Sequence, residues 1–136
     1  MADSVLVVTS GLTIITTALV ALDATGPQFV QWGVGTTVPN TADVDLEDKT
    51  DCNEARVADL DSVETTTKTD DTYRTTALIT KAGAGAAITE VATFNATNAG
   101  TPPDGDTMFL RATFSAINLV VGNSIDFTID TKFVPV

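Results

Sequence analysis

The residues best suited to chemistry are the acids of one short segment, Asp43-x-Asp45-x-Glu47-x-Lys49-x-Asp51-x-x-Glu54. They fall at positions 1, 3, 5, 9 and 12 of a window, the spacing with which an EF-hand loop wraps calcium. Two features work against that use. Position six is Asp48, where the sharp turn requires glycine, and no pair of amphipathic helices flanks the window. The sequence therefore assigns no metal site and no cofactor. Asp43, Asp45, Glu47, Asp51 and Glu54 are the candidate ligands should calcium bind, and a solvated acidic loop is the plainer reading.

Glu90 is the second candidate, because it sits inside an otherwise apolar run. A carboxylate buried there must be paired or hydrogen-bonded, or else hold its proton. Arg74 or Arg111, on neighbouring strands, could supply the pairing. A catalytic role would require a second acid or base within reach, and the sequence offers none.

Other chemistries are excluded by residue type. With no histidine, neither a Ser-His-Asp or Cys-His arrangement nor a His-ligated zinc site can be built. Cys52 is the single cysteine, so no internal disulfide forms, and the adjacent Asp51 and Glu54 disfavour its thiolate. Gly83-Ala-Gly85 is too short for a phosphate loop and lies between strands. Asn95-Ala-Thr97 fits the glycosylation triplet but follows no secretory signal, and Thr65 to Thr67 read as strand-surface threonines. The sequence indicates a protein that is not an enzyme.

The formal net charge of −11 argues against binding nucleic acid, where Lys and Arg must displace counterions from phosphate. It argues equally against an anionic membrane surface. The apolar run from Val5 to Leu22 is preceded by Asp3 rather than a basic residue and is interrupted by six Ser, Thr or Gly residues. It matches neither a secretory signal nor a spanning helix, and the mature chain is expected to begin at or just after Met1.

The elements that must hold these residues are mostly strands. Ile125, Phe127, Ile129 and Phe133 alternate with Asp126, Thr128, Asp130 and Lys132, the period-two signature of a half-buried strand. Threonine, at 25 of 136 residues, suits pleated surfaces that face water. Gln28 to Val34, Thr72 to Thr80, Ala87 to Phe94 and Thr107 to Phe114 read as further strands, with Ser62 to Thr69 an exposed strand at best. Ile88, Glu90, Ala92 and Phe94 are placed on one side of theirs. Near the N-terminus, Val5 to Thr9 reads as a short strand or apolar arm. Leu12, Ile15, Leu19 and Leu22 recur at helical spacing and predict a short helix over about 12–22, with a strand as the alternative. Thr36 to Glu54 is long for a loop in a compact domain, and such loops are functional, disordered or held by a partner.

Together these features predict one mainly β domain over 1–136: an N-terminal arm and possible short helix over 1–27, then an antiparallel β-sandwich or jelly-roll-like barrel over 28–136.

Five segments in order, Trp32-Gly-Val-Gly-Thr-Thr37, Asp70-Asp-Thr-Tyr73, Ala87-Ile-Thr-Glu-Val-Ala-Thr-Phe94, Leu110-Arg-Ala-Thr-Phe114 and Gly122-Asn-Ser-Ile125, carry a resemblance. Over Phe29 to Phe133 the chain resembles small virion structural proteins of tailed bacteriophages, whose patterns run WGxGT, ITExGLF, LxRxxF and GDSIxFT. Ala92-Thr93 replaces the Gly-Leu of that pattern and Asn123 its Asp, which leaves the strand alternation intact. The resemblance implies a non-enzymatic β module, either a head decoration (cement) protein or a fibre or collar part of the tail. The decoration role implies the major capsid protein as partner, self-association as a dimer or trimer, and a place on the outer surface of the virion. Attachment would then use the apolar arm Met1 to Val8, the acidic loop Asp43 to Asp51 or the tail Phe133 to Val136.

Overall fold

A computed structural model describes residues 8–22, 26–98 and 100–133. Val5 to Val7 of the expected arm, and the tail beyond Phe133, lie outside the described residues. Helix α1 (Thr9–Val20) is followed by seven strands: β1 (Phe29–Gly33), β2 (Val57–Ala58), β3 (Leu60–Glu64), β4 (Thr72–Thr80), β5 (Ala86–Phe94), β6 (Met108–Leu119) and β7 (Ser124–Lys132). They form two antiparallel sheets, β2-β1-β5-β6 and β3-β4-β7. The protein is mainly β, as expected, but neither sheet closes on itself, which removes the barrel alternative.

Helix α1 starts three residues before its predicted position and ends at Val20, well before Gly26-Pro27. Leu12 and Thr16 are its buried residues. Thr16 is tolerated inside because its hydroxyl donates to Leu12 O (3.0 Å) and to Asp70 O (2.9 Å), which ties the helix to the β3–β4 turn. Leu22, placed on the helical stripe by spacing, lies past the helix end and is exposed. Among the described residues no helix is long and apolar enough to cross a membrane.

Side chains from both sheets meet in one cluster: Val30, Trp32, Ile88 and Val91 from the first, Ala77, Ile79 and Phe127 from the second. The Phe127 ring meets Trp32 edge-on at 6.3 Å and Phe114 at 6.1 Å. Each large side chain buried this way stabilises the fold by roughly 1.5–3 kcal/mol, which fixes the inward phase of β7.

Strand β5 departs from simple alternation. Its pairing with β6 shifts register between Ile88 and Glu90. Ile88 joins Val91 in the cluster between the sheets, whereas Ala92 and Phe94 join Leu46 in a second cluster. The expectation that Ile88, Glu90, Ala92 and Phe94 share one side therefore fails at a bulge, which changes the facing of every residue beyond it. Strand β6 also runs on to Leu119, through Asn118, where a connection was expected.

Candidate functional site

The far side of the first sheet is covered by the acidic segment that connects β1 to β2. Two glycines let it lie flat. A Cβ on Gly33 would stand 2.5 Å from both Asp48 O and Glu90 Oε1, and one on Gly35 would stand 2.5 Å from Glu90 Oε1. The absence of side chains lets the backbone turn directly over the sheet, and Val34 N donates to Asp48 O at 2.8 Å.

Glu90, fully buried on β5, organises this contact. Its Oε1 accepts from Gly35 N (2.9 Å) and Asp48 N (3.0 Å). Its Oε2 accepts from Glu47 N (3.2 Å) and from Arg111 Nε (2.7 Å). Four donors fill the usual capacity of a carboxylate. Of the two arginines proposed from sequence, Arg111 is the partner; Arg74 instead forms a bidentate pair with Asp130 across β4 and β7, at 2.7 and 2.8 Å. Arg111 continues outward, donating from Nη1 to Asp43 Oδ2 (2.8 Å) and from Nη2 to Thr37 O (3.2 Å) and Glu47 Oε2 (3.3 Å). Asp43 is held below the ordinary carboxylate range by the Asn40 N–H and then by Arg111; for Glu47 the backbone and hydroxyl of Thr37 act first.

A second buried carboxylate closes the segment at its other end. Glu54 Oε2 accepts from Trp32 Nε1 (2.9 Å), while Oε1 accepts from Lys81 Nζ (2.7 Å) and Ala82 N (2.9 Å). Burial alone would raise the Glu54 pKa, but Lys81, Trp32 and the Ala82 N–H outweigh it and hold it at about 2. Lys81 is itself fully buried and also donates to the carbonyl of Asp51. Cys52, between these groups, is buried; desolvation first and the Glu54 charge second push its thiol up to about 11. That agrees with the reading of Cys52 as unreactive.

Two further ties complete the layer. Leu46 packs on Ala92 and Phe94, and Arg56 lies 3.6 Å over the Phe94 ring, a cation–π contact. Arg56 also donates to Gln31 Oε1 (2.8 Å), Asp106 Oδ2 (2.9 Å) and Gly105 O (2.8 Å), linking the segment to the β5–β6 connection. Lys49 spans Asp45 Oδ2 (2.7 Å) and Asp104.

The five candidate calcium ligands are thus divided among three cations. Asp43 and Glu47 meet at Arg111, Asp45 meets Lys49, and Asp51 (through its carbonyl) and Glu54 meet Lys81. Among the described residues, no group of three or more His, Cys, Asp or Glu side chains is placed to hold a metal ion. The spacing in sequence could not reveal this, because Arg111 comes from β6 and Lys81 from just past the end of β4.

Sequence reasoning missed Asp71. Fully buried, it accepts from the backbone N–H groups of Thr66 (3.0 Å), Thr67 (3.0 Å) and Lys68 (2.8 Å) and from the Thr72 hydroxyl (2.9 Å). Burial acts to raise its pKa, and these donors together drive it far below the ordinary value. The signal was present in the Thr-rich run before two aspartates, a composition that closes turns.

None of the family models, curated proteins or solved structures compared with this chain matches it.

Proposed function

We propose that this chain is a non-enzymatic structural protein of a tailed-bacteriophage virion, a two-sheet β-sandwich that decorates the outside of the head and reinforces the shell of major capsid protein. The observation that carries this reading is the way two buried acids of the site are committed to structural donors. Glu90 and Glu54 each receive donors at both oxygens, and those donors fix a loop against a sheet. A carboxylate used this way is occupied by structural donors at both oxygens; it contributes shape and rigidity.

The resemblance supports the same reading through the same residues. The glycines of the WGxGT segment are Gly33 and Gly35, which let the loop approach, and Glu90 and Arg111 belong to the Ala87–Phe94 and Leu110–Phe114 segments. The resemblance thus falls on residues that build the clamp, which is the support it lends to this reading. An acidic, threonine-rich outer surface also suits a part present in many copies on a shell exterior, away from packaged DNA.

The test is the copy number and position of the protein in purified virions, by quantitative gel staining and labelling. Many copies spread over the head are expected, and removing the first eight residues should lower that occupancy. A handful of copies at the tail would move the protein to the fibre or collar, and absence from the particle would overturn the reading.

A further inference from the structure

Each sheet of this protein ends in two edge strands, and three of the four are guarded. Strand β2 is only two residues long. Strand β3 carries Asp61 and Glu64, and β7 carries Asp126, Asp130 and Lys132. Shortness, charge and bulges are means by which an edge avoids pairing with another chain. Strand β6 is neither short nor charged along its outer side, and the bulge where Phe114 to Ala116 lie opposite Thr89 alone ends before Ile117. It runs for 12 residues, is unpaired on its outer side among the described residues, and contains no acid, no lysine and no proline. Its one charge, Arg111, is drawn inward to Glu90, with the side chain only 3% exposed. Its second half, Ser115 to Ile117 and Asn118, is open to solvent, and the tip that follows exposes Val120 and Val121.

From this we infer that the open half of β6 pairs with the same segment of a second copy, antiparallel about a two-fold axis, joining two four-stranded sheets edge to edge. Charge selects the occupant. The chain has a net charge of −11, so a basic partner would gain most by docking where the acids are. The stretch from Thr107 to Ile125 holds no acid, and there a second acidic chain can approach without meeting its own charge. An antiparallel strand edge also complements itself: its N–H and C=O groups answer the same groups on a copy turned by two-fold rotation, with no second surface required. This inference rests on the edges and the charge, and stands apart from the proposed virion role.

The experiment is sedimentation of the full chain over a concentration series, with Ile117→Glu alongside, and a crosslinking arm with Ala116→Cys. Cys52 is buried with a raised thiol, so the engineered thiol is the reactive one. The wild-type chain should approach twice its 14.1 kDa mass as concentration rises. Ile117→Glu should remain monomeric, and Ala116→Cys should form a disulfide-linked dimer under mild oxidation. A wild-type chain that stays monomeric throughout overturns the inference. So does an Ile117→Glu chain that still dimerises, which would point to the N-terminal arm or another face. Should Ile117→Glu fail to fold, the crosslink decides: a dimer supports the pairing and its absence refutes it.

Discussion

Arg111 Nε lies 2.7 Å from Glu90 Oε2, although the two residues are not cross-strand partners; Arg111 is paired with Ala92 and Glu90 with Thr113. The contact is therefore diagonal across β5 and β6. It leaves the rest of the guanidinium free to reach over the sheet to Asp43 and Glu47.

Replacing Glu90 with Gln removes the charge that faces a nearly buried guanidinium and turns one oxygen acceptor into a donor opposite loop N–H groups. Breaking one side of a buried pair costs about 3–5 kcal/mol. Glu90→Gln should lose stability on that scale in urea unfolding, and limited proteolysis should cut between Thr36 and Glu54 first. Unchanged cleavage of that segment would show that Glu90 does not hold it.

Lys81→Met strands Glu54 in the same way, with an expected loss of about 3–5 kcal/mol. Lys81→Met combined with Glu54→Gln should recover part of it, since the uncompensated charge is gone. Trp32 is the sole tryptophan and donates to Glu54, so its emission should shift in both variants. Strictly additive losses in the double variant would argue against a direct coupling.

Two carboxylates set opposite pH dependences. Glu54 is depressed from 4.5 to about 2, so its contribution is complete above pH 4.5 and is lost as pH falls from there towards 2. Asp59 is raised from 3.8 to about 6, by burial first and by the Asp61 charge second. Among the described residues its Oδ2 is buried without a hydrogen-bond partner. The folded protein thus prefers Asp59 protonated; it is at no cost below pH 3.8, and stability declines as pH rises from 3.8 through about 6. Unfolding midpoints measured against pH should show that decline in the wild type, and Asp59→Asn should abolish it.

Gly35→Ala would place a methyl group 2.5 Å from Glu90 Oε1 and 2.6 Å from Glu47 Cβ. The loop must lift to admit it, at a cost of about 1–3 kcal/mol. Thermal unfolding should show the loss, and amide exchange should accelerate at Glu47 and Asp48. A neutral Gly35→Ala would mean the loop sits further from the sheet.

The strands were legible where one face is dry and the other wet. Strand β4 spans Thr72–Thr80 as its alternation indicates, and β7 keeps Phe127 inward and Asp126 and Thr128 outward. Strand β5 misled because it is covered on both faces, so apolar residues lie on each and the register shift leaves no gap in the pattern. Helix α1 was placed late because its first turn, Thr9-Ser10-Gly11, carries no apolar residue to mark it, while the hydroxyl of the buried Thr16 is satisfied by groups that sequence does not show. At the site, Glu90 was recognisable as a paired acid. The acids around Asp45 resembled a cation loop because their spacing is local, while the cations that claim most of them arrive from far along the chain.

The shift in β5 has a consequence for how much change the protein can absorb. Upstream of it the strand answers to Phe127 and its neighbours; downstream it answers to Leu46 and the acidic segment. The irregularity at Thr89 lets Ile88 and Glu90, two apart, face opposite layers; straightening the strand there without shortening it would present Glu90 to hydrocarbon or withdraw Ile88 from it. The irregularity at that point is therefore as tightly prescribed as the residues on either side of it.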